Sequence, residues 1–391
     1  MKAIFVHDHP FYMDKPNEKF FSGGGLPSTA WKRYLTVFDQ LVVVGRGHVV
    51  SDTRGLSLSS HENVTFKPCF GVAGGVDYLL KKKKIKNHLR PLIKQADAVV
   101  LRLPSFFGSC AVEICNELDK PYLAEMVGCT WDSNWNYGNL IGKLRAPFSL
   151  LQTKKAIKNA SAVIYVTEHF LQKRYPTNAK VTSFASNVFI HDFPSSVLSE
   201  HQALLQKNRD CYRLALLANL QVKYKGFDVA FKAVAAAKNK LDKPIELLLF
   251  GGGDSSYVQP LIDRYGIQDD VKIMGLLSSG QEVYKALDDL DLYIQPSLTE
   301  GLPRAVIEAM SRGCPVLASS AGGIPELLDD KYLHKPGDYK ALAKHLVKYL
   351  PNQNALLQMS EKNFYRSKEY TLDVLEKRRN AFWVEVRDLL E

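Results

Sequence analysis

The chain of 391 residues has no apolar run near the ~18 residues of a bilayer-crossing helix, which excludes an ordinary helical span. Cysteine is scarce and scattered. The six, at 69, 110, 115, 129, 211 and 314, form no C-x-x-C pair and have no matching histidine cluster. That spacing supports neither a disulfide framework nor a zinc site and leaves reduced, buried thiols. No internal repeat or low-complexity tract interrupts the chain. No secretory leader is expected in this stretch: Met1-Lys2-Ala3-Ile4-Phe5-Val6 breaks at His7-Asp8-His9, which reads as a first buried strand. A cytoplasmic location is expected.

Acidic side chains are outnumbered, 41 against 51 basic, for a formal charge of +10. The densest basic cluster is Lys81-Lys82-Lys83-Lys84-Ile85-Lys86 with Arg90 and Lys94. Such a run marks a solvated face or a contact with an anionic membrane surface. Nucleic acid is not expected as a partner, because no recognition motif or interleaved aromatic pattern accompanies the charge.

What is present is a globular composition, 46% hydrophobic and 24% charged, at a length that fits two domains of similar size. Short apolar runs alternate with helix-length segments: Ala3–Val6, Leu41–Val44, Ala98–Leu101, Tyr122–Met126 and Ala162–Val166, then Arg213–Leu217, Ile245–Phe250, Val271–Met274, Leu292–Ile294 and Val316–Ala318. Continuous apolar strands between helices predict parallel sheets covered on both faces, hence an α/β class with two doubly wound, Rossmann-like domains. The predicted domains are 1–205 and 206–369, with a turn cluster at Asp192-Phe193-Pro194-Ser195-Ser196 near the linker. A terminal helix, about 370–391, carries Trp383 and is predicted to pack back on the first domain.

The most informative stretch is Asp291 to Leu328. Leu292-Tyr293-Ile294 reads as a buried strand that delivers Pro296 to Glu300 into a loop, and Pro303 suits the first turn of the helix that follows. Backbone N–H groups near Gly301, Leu302, Arg304 and Ala305 would form an anion site there, at the sheet edge where ligands bind. Glu308 interrupts an apolar helix about 7–8 Å from its start. Its charge needs a partner, which ligand hydroxyls or the helix dipole would supply.

The run from Glu300 to Met310, followed by Gly313-Cys314-Pro315-Val316 and Gly322-Gly323-Ile324-Pro325-Glu326, closely resembles the family-4 retaining glycosyltransferases of the GT-B fold, whose signature is two glutamates separated by seven residues. Tyr224-Lys225-Gly226-Phe227-Asp228 resembles that family's phosphate-binding lysine loop; Phe250 to Asp254 and Val271 to Gly275 also match in order. The resemblance covers about 210–350 and implies two domains facing each other across a cleft. It implies that Glu308 binds the ribose hydroxyls, that Glu300 with Gly301 and Leu302 holds the donor sugar, that Lys225 and Arg304 neutralise the diphosphate, and that the turn at Gly275 lies against the nucleobase. The Arg that the family often carries before the lysine loop is replaced here by Leu217-Ala218-Asn219-Leu220.

The first half matches more loosely. Ser22-Gly23-Gly24-Gly25-Leu26 is either a plain flexible loop or, as its position in the family suggests, a glycine loop at the donor, with Gly24 and Gly25 approaching the ligand. The aromatic, polar stretch from Pro121 to Tyr137 is either an acceptor-recognition loop or one packed on its own domain. Many relatives have a His near Val127 or Gly128, which this sequence lacks; Asp132 or Glu125 is expected in its place, with Asp132 taken as the catalytic candidate. His7-Asp8-His9 reads as a strand-end loop and Asp289-Leu290-Asp291 as a solvated turn, so no metal is expected.

The implied activity is a retaining hexosyltransferase with catalytic Glu300, Lys225 and Asp132, a nucleotide-sugar donor, and a glycan or lipid-linked glycan acceptor at the inner face of a membrane. No cofactor is expected beyond the nucleotide-sugar co-substrate. The alternatives are a non-catalytic nucleotide-sugar-binding protein and a nucleotide-sugar epimerase. A glycoside hydrolase using Glu300 and Glu308 would leave Lys225 and the anion site unexplained.

Overall fold

The computed structural model describes residues 1–23, 25–75, 77–136, 140–277 and 280–391. They form two compact units. One gathers Met1–Thr130, Phe148–Ala185 and Glu376–Glu391; the other gathers Trp131–Pro147 and Ser186–Leu375.

In the first unit the parallel core of the sheet runs Val181–Phe184, Ala162–Tyr165, Leu123–Met126, Ala98–Leu103, Lys2–Asp14, Gln40–Val50 and Val64–Phe66. Ala3, Ile4, Phe5 and Val6 are wholly buried, as a strand covered on both faces requires. His7-Asp8-His9 is not a strand-end loop: the strand continues to Asp14 past a register shift between Val6 and Pro10, and its far half pairs antiparallel with Lys19–Ser22. The reason is local chemistry. Asp8 accepts hydrogen bonds from Phe106 N and Phe107 N, both 2.7 Å, and so holds the start of the helix Phe106–Glu117. Ser105 caps the same helix by accepting from Gly108 N at 2.7 Å. Burial pushes His7 down to about 3 and His9 to about 4, so both rings are neutral at physiological pH.

The helix Leu372–Leu390 buries Leu375, Phe382, Trp383 and Val386, with Trp383 edge-on to Tyr34 at 5.3 Å between ring centroids. Glu125 is drawn into the core of this unit. It accepts from Tyr34 Oη at 2.7 Å and pairs with Arg102 at 3.3 Å.

The second unit has a six-stranded parallel sheet in the order Val271–Gly275, Ile245–Phe250, Tyr212–Leu217, Leu292–Gln295, Val316–Ser319, Leu333–His334. Its apolar strands, among them Leu214, Leu216, Leu247, Leu249, Leu292 and Ile294, pack beneath the helix Phe227–Ala237, which lies against Tyr339–Tyr349. Asp289 does lie in the turn before the strand Leu292–Gln295, with its side chain 49% exposed, but Asp291 is buried. Arg209 and Arg213 pair with Asp289, and Asp291 accepts from Arg213 N at 2.7 Å, so the acidic pair joins two strand starts.

Candidate functional site

The strands Tyr212–Leu217 and Leu292–Gln295 are neighbours, so the loops leaving their carboxyl ends emerge side by side. That adjacency brings Lys225 to Glu300. The lysine loop is a single 3-10 turn, Lys223–Lys225, closed by Gly226 at φ +83, and the helix Phe227–Ala237 starts immediately after. Leu298 N donates to Tyr224 O at 2.7 Å, which ties the two loops together. A Cβ on Gly226 would stand 2.0 Å from Pro296 O, so only glycine allows this approach.

Glu300 is nearly buried, its side chain 8% exposed. Its Oε1 accepts from Lys225 Nζ at 2.7 Å, Ser297 Oγ at 2.7 Å and Gln295 Nε2 at 3.0 Å. Its Oε2 has no hydrogen bond among the described residues and is left to accept from a ligand. Gln295 is in turn held by Tyr293 Oη at 2.6 Å, and Ser319 Oγ fixes the Ser297 carbonyl at 2.6 Å. The backbone is pinned from the far side: Gly323 N donates to Gly301 O at 2.7 Å, and a Cβ on Gly322 would lie 2.0 Å from Glu300 O.

The helix after this loop is Arg304–Ser311. Pro303 is its cap residue rather than its first helical residue, with no side-chain cap bond, so the N–H groups of the first turn have no side-chain acceptor there. Arg304 is exposed; Glu308, one turn on, is half-buried and lacks a hydrogen-bonded partner for its carboxylate among the described residues. Burial raises the Glu308 carboxyl above its ordinary range, and the Arg304 guanidinium partly offsets this. A half-buried carboxylate facing one cation among the described residues favours hydroxyl donors from a ligand.

Gly275, at φ +85, ends the strand Val271–Gly275, and its carbonyl accepts from Gly251 N at 2.8 Å. The next residue, Leu276, is 75% exposed at this carboxyl edge, where a flat apolar ring would cover it. A Cβ on Gly251 would fall 1.8 Å from Ala218 O, so the glycine run serves backbone packing here rather than a dinucleotide turn. Asp132 stands in the first turn of the helix Thr130–Trp135, where Trp131 and Trp135 stack at 5.2 Å between centroids. Asn136 next to it donates to Leu298 O at 3.4 Å, so this segment is attached to the Glu300 loop. Gly25 belongs to the first unit, beside the His9 ring, and Gly24 lies outside the described residues.

Lys225, Glu300, Gly301, Leu302, Arg304, Glu308 and Gly275 therefore all belong to the second unit's carboxyl edge. Sequence reasoning missed Gln295, Ser297 and Gly322. The first two had a signal, polar side chains closing an apolar strand; for Gly322 only the folded backbone reveals the clash. The arrangement offers a cation, free backbone donors, a carboxylate oxygen and an unpaired glutamate within one edge, which suits a sugar bearing a diphosphate.

The chain matches the family model "Glycosyl transferases group 1" over residues 205–365. It is 36% identical over 345 residues to protein CapJ of Staphylococcus aureus, covering 88% of this chain and 85% of CapJ. It is also 34% identical over 146 residues to the amylovoran biosynthesis glycosyltransferase AmsK of Erwinia amylovora, 35% of either chain. Among solved structures it superposes on Anabaena HepE in complex with UDP with a TM-score of 0.62 at 16% identity, over all of both chains. This last likeness shows the fold, GT-B, and nothing finer.

Proposed function

The chain belongs to the glycosyl transferases group 1 family, and from that premise we propose that it moves a hexose from a nucleoside-diphosphate sugar to a hydroxyl of a glycan or lipid-linked glycan with retention of configuration, in cell-surface polysaccharide synthesis. The observation that carries the reading is the convergence of Lys225, Ser297 and Gln295 on Glu300 Oε1 beside an uncapped helix start. The kinship with AmsK, named for amylovoran biosynthesis, supports the polysaccharide setting, and HepE, solved with UDP, supports a nucleoside diphosphate.

In this reading Glu308 accepts the ribose hydroxyls and Glu300 Oε2 a donor-sugar hydroxyl. As the bond between the anomeric carbon and the diphosphate breaks, the growing negative charge is met by Lys225, Arg304 and the first-turn N–H groups. The acceptor hydroxyl attacks the same face of the sugar. Its oxygen bonds the anomeric carbon, and its proton passes to the departing phosphate oxygen. Asp132 orients the acceptor. The chain's own cations supply the charge neutralisation, so the mechanism calls on neither a metal ion nor an organic cofactor.

The test is calorimetric titration of UDP, GDP, ADP and their sugars into the native protein and Glu308→Ala, followed by NMR of the product's anomeric proton. Binding of one nucleotide, lost in the variant, with the donor's anomeric configuration kept, supports the assignment. Absence of binding to every nucleotide would sink it in favour of a non-catalytic role, and an inverted product would remove the retaining mechanism.

A further inference from the structure

In the first unit the strand Lys2–Asp14 outruns the parallel core that its buried residues Ala3 to Val6 build. Past the register shift, residues 10–14 continue beside residues 46–50 and pair on their other flank with Lys19–Ser22, which pairs in turn with Ser57–Leu58. The four segments form a small β-arm at the carboxyl end of the strand. Side chains alternate between its two faces. One face is core: the Phe66 ring lies 5.2 Å from Phe11 and 4.8 Å from Phe20 between centroids.

The other face carries one cross-strand row. Leu58 stands opposite Phe21, Phe21 opposite Tyr12 and Tyr12 opposite His48, whose ring centroid is 5.5 Å from that of Tyr12. Three strand spacings make the row about 14 Å long. Leu58 is 41% exposed and the three rings are half-buried. The Tyr12 hydroxyl and both His48 ring nitrogens have no hydrogen bond among the described residues. Burial and the nearby Arg46 guanidinium lower His48 from its ordinary value, so the ring is neutral at physiological pH. Charge on either side of the row is already answered. Lys19 stands opposite Asp14, and Arg46 donates from Nε to Asp8 O at 2.7 Å and from Nη1 to Ala73 O at 2.5 Å.

We propose that this face binds neutral sugar residues of the acceptor glycan, as a subsite apart from the point of transfer. Each ring offers a flat apolar surface to the C–H face of a pyranose, and Tyr12 and His48 add a polar tip for its hydroxyls. Charge and area decide among occupants. A phosphate-bearing ligand or an acidic glycan would meet no free cation on the row. Four side chains, none more than 41% exposed, present well under half of the ~800 Å² per partner that a stable protein interface buries, which argues against a second copy. The position suits a chain already held nearby, because the arm rises from the carboxyl edge at which open α/β sheets bind ligands. The inference rests on the glycan-acceptor reading and adds a place and a chemical class to it: uncharged sugar units gripped along a length of chain, so that longer acceptors bind more tightly.

The experiment is binding of the full chain, fluorescently labelled and free of nucleotide, to an array of neutral and anionic bacterial oligosaccharides of graded length. Native protein should bind neutral glycans, the longer ones better than the shorter. Tyr12→Ala/His48→Ala should weaken this binding at least about tenfold. Tyr12→Phe, which keeps the ring and loses the hydroxyl, should weaken it about threefold. Val49→Ser, at a 54% exposed apolar residue on the opposite face of the arm, should change it by less than about twofold. Thermal melts establish that each variant is folded. Leu58→Asp, at the most exposed side chain of the row, keeps the test open if the ring variant melts early, and should weaken binding at least about threefold. Native protein that binds no neutral glycan, or anionic ones alone, overturns the proposal. So does a folded Leu58→Asp that binds like native, or a native dimer that this variant converts to monomer. Nucleotide titration separates the two readings. Glycan binding without any nucleotide binding would refute the transferase and leave this face standing, whereas nucleotide binding without neutral-glycan binding would refute this face alone.

Discussion

Replacing Lys225 by methionine separates a structural ion pair from a catalytic cation. The substitution keeps the stem of the side chain and removes the ammonium. Glu300 then loses one of three donors on Oε1 and keeps Ser297 at 2.7 Å and Gln295 at 3.0 Å. One hydrogen bond to a charged group contributes about 1.5–3 kcal/mol. Because the Lys225 side chain is partly exposed and two donors remain, the low end applies, near 1–2 kcal/mol. For a unit of this size that lowers Tm by roughly 2–8 °C. If the same ammonium also meets charge developing on the departing diphosphate, the rate falls by about 10²–10³, or roughly 3–4 kcal/mol. The catalytic term is the larger, so the two roles are distinguishable. The assay is release of nucleoside diphosphate from the donor that calorimetry selects, per folded molecule, beside a melting curve. Lys225→Arg should recover part of the rate, since a fork replaces a point charge with different reach. A Lys225→Met enzyme with a lowered Tm but a rate within about threefold of native would refute the catalytic role and leave Lys225 as a prop for Glu300.

Gly226 and Gly266 share a left-handed backbone, at φ +83 and +61, but a Cβ on Gly226 meets Pro296 O at 2.0 Å while one on Gly266 meets nothing within 4 Å. Gly266→Ala should cost only about 1–2 kcal/mol of strain, whereas Gly226→Ala should cost more and weaken nucleotide binding by displacing Lys225; equal losses in urea melts would contradict the packing account. Burial raises the Glu308 carboxyl, so the native state holds that proton more tightly than the unfolded chain, and ionising it at higher pH costs stability. Glu308→Gln should therefore gain stability at pH 8 over native, a gain that vanishes below the unfolded carboxyl range near pH 4.5, while nucleotide affinity of the native protein should fall as pH drops through the raised value. Both ring nitrogens of buried His201 lack a hydrogen-bond partner among the described residues, and burial lowers it to about 4. Lowered below its unfolded value near 6.5, it contributes stability that is complete above pH 6.5 and lost toward pH 4, at most about 3 kcal/mol; His201→Leu should flatten that part of the acid-denaturation curve.

The sheet of the second unit was legible because its strands are short, continuous and apolar, a pattern set by burial on both faces and readable without any long-range information. The same logic missed Val181–Phe184 and Leu333–His334, edge strands whose outer faces need no apolar cover. It also misjudged His7-Asp8-His9 and Asp291, which is buried where a solvated side chain was expected. In both places a buried carboxylate is held by backbone donors about 80–100 positions away, Phe106 and Phe107 for Asp8 and Arg213 for Asp291. No local window contains those partners.

The candidate site divides along the same line. Lys225, Glu300 and Glu308 were visible as charges where the pattern demanded apolar residues or a turn. What no charge could announce is how the site is held. Gly226 and Gly322 act by what they lack, admitting the Pro296 and Glu300 carbonyls to within a distance that any Cβ would forbid. Gln295 and Ser297 act through a single oxygen of Glu300, which leaves the other free. These features make a specific claim: the Glu300 carboxylate is oriented before any ligand arrives, so its role is to aim one oxygen rather than to adapt. If so, Gln295→Ala, which removes one donor and leaves the charge and Lys225 in place, should lower the transfer rate while leaving nucleotide affinity near native, because the nucleotide is held at Glu308 and the helix start. Equal losses in both would mean that Gln295 supports the whole loop rather than the direction of one carboxylate.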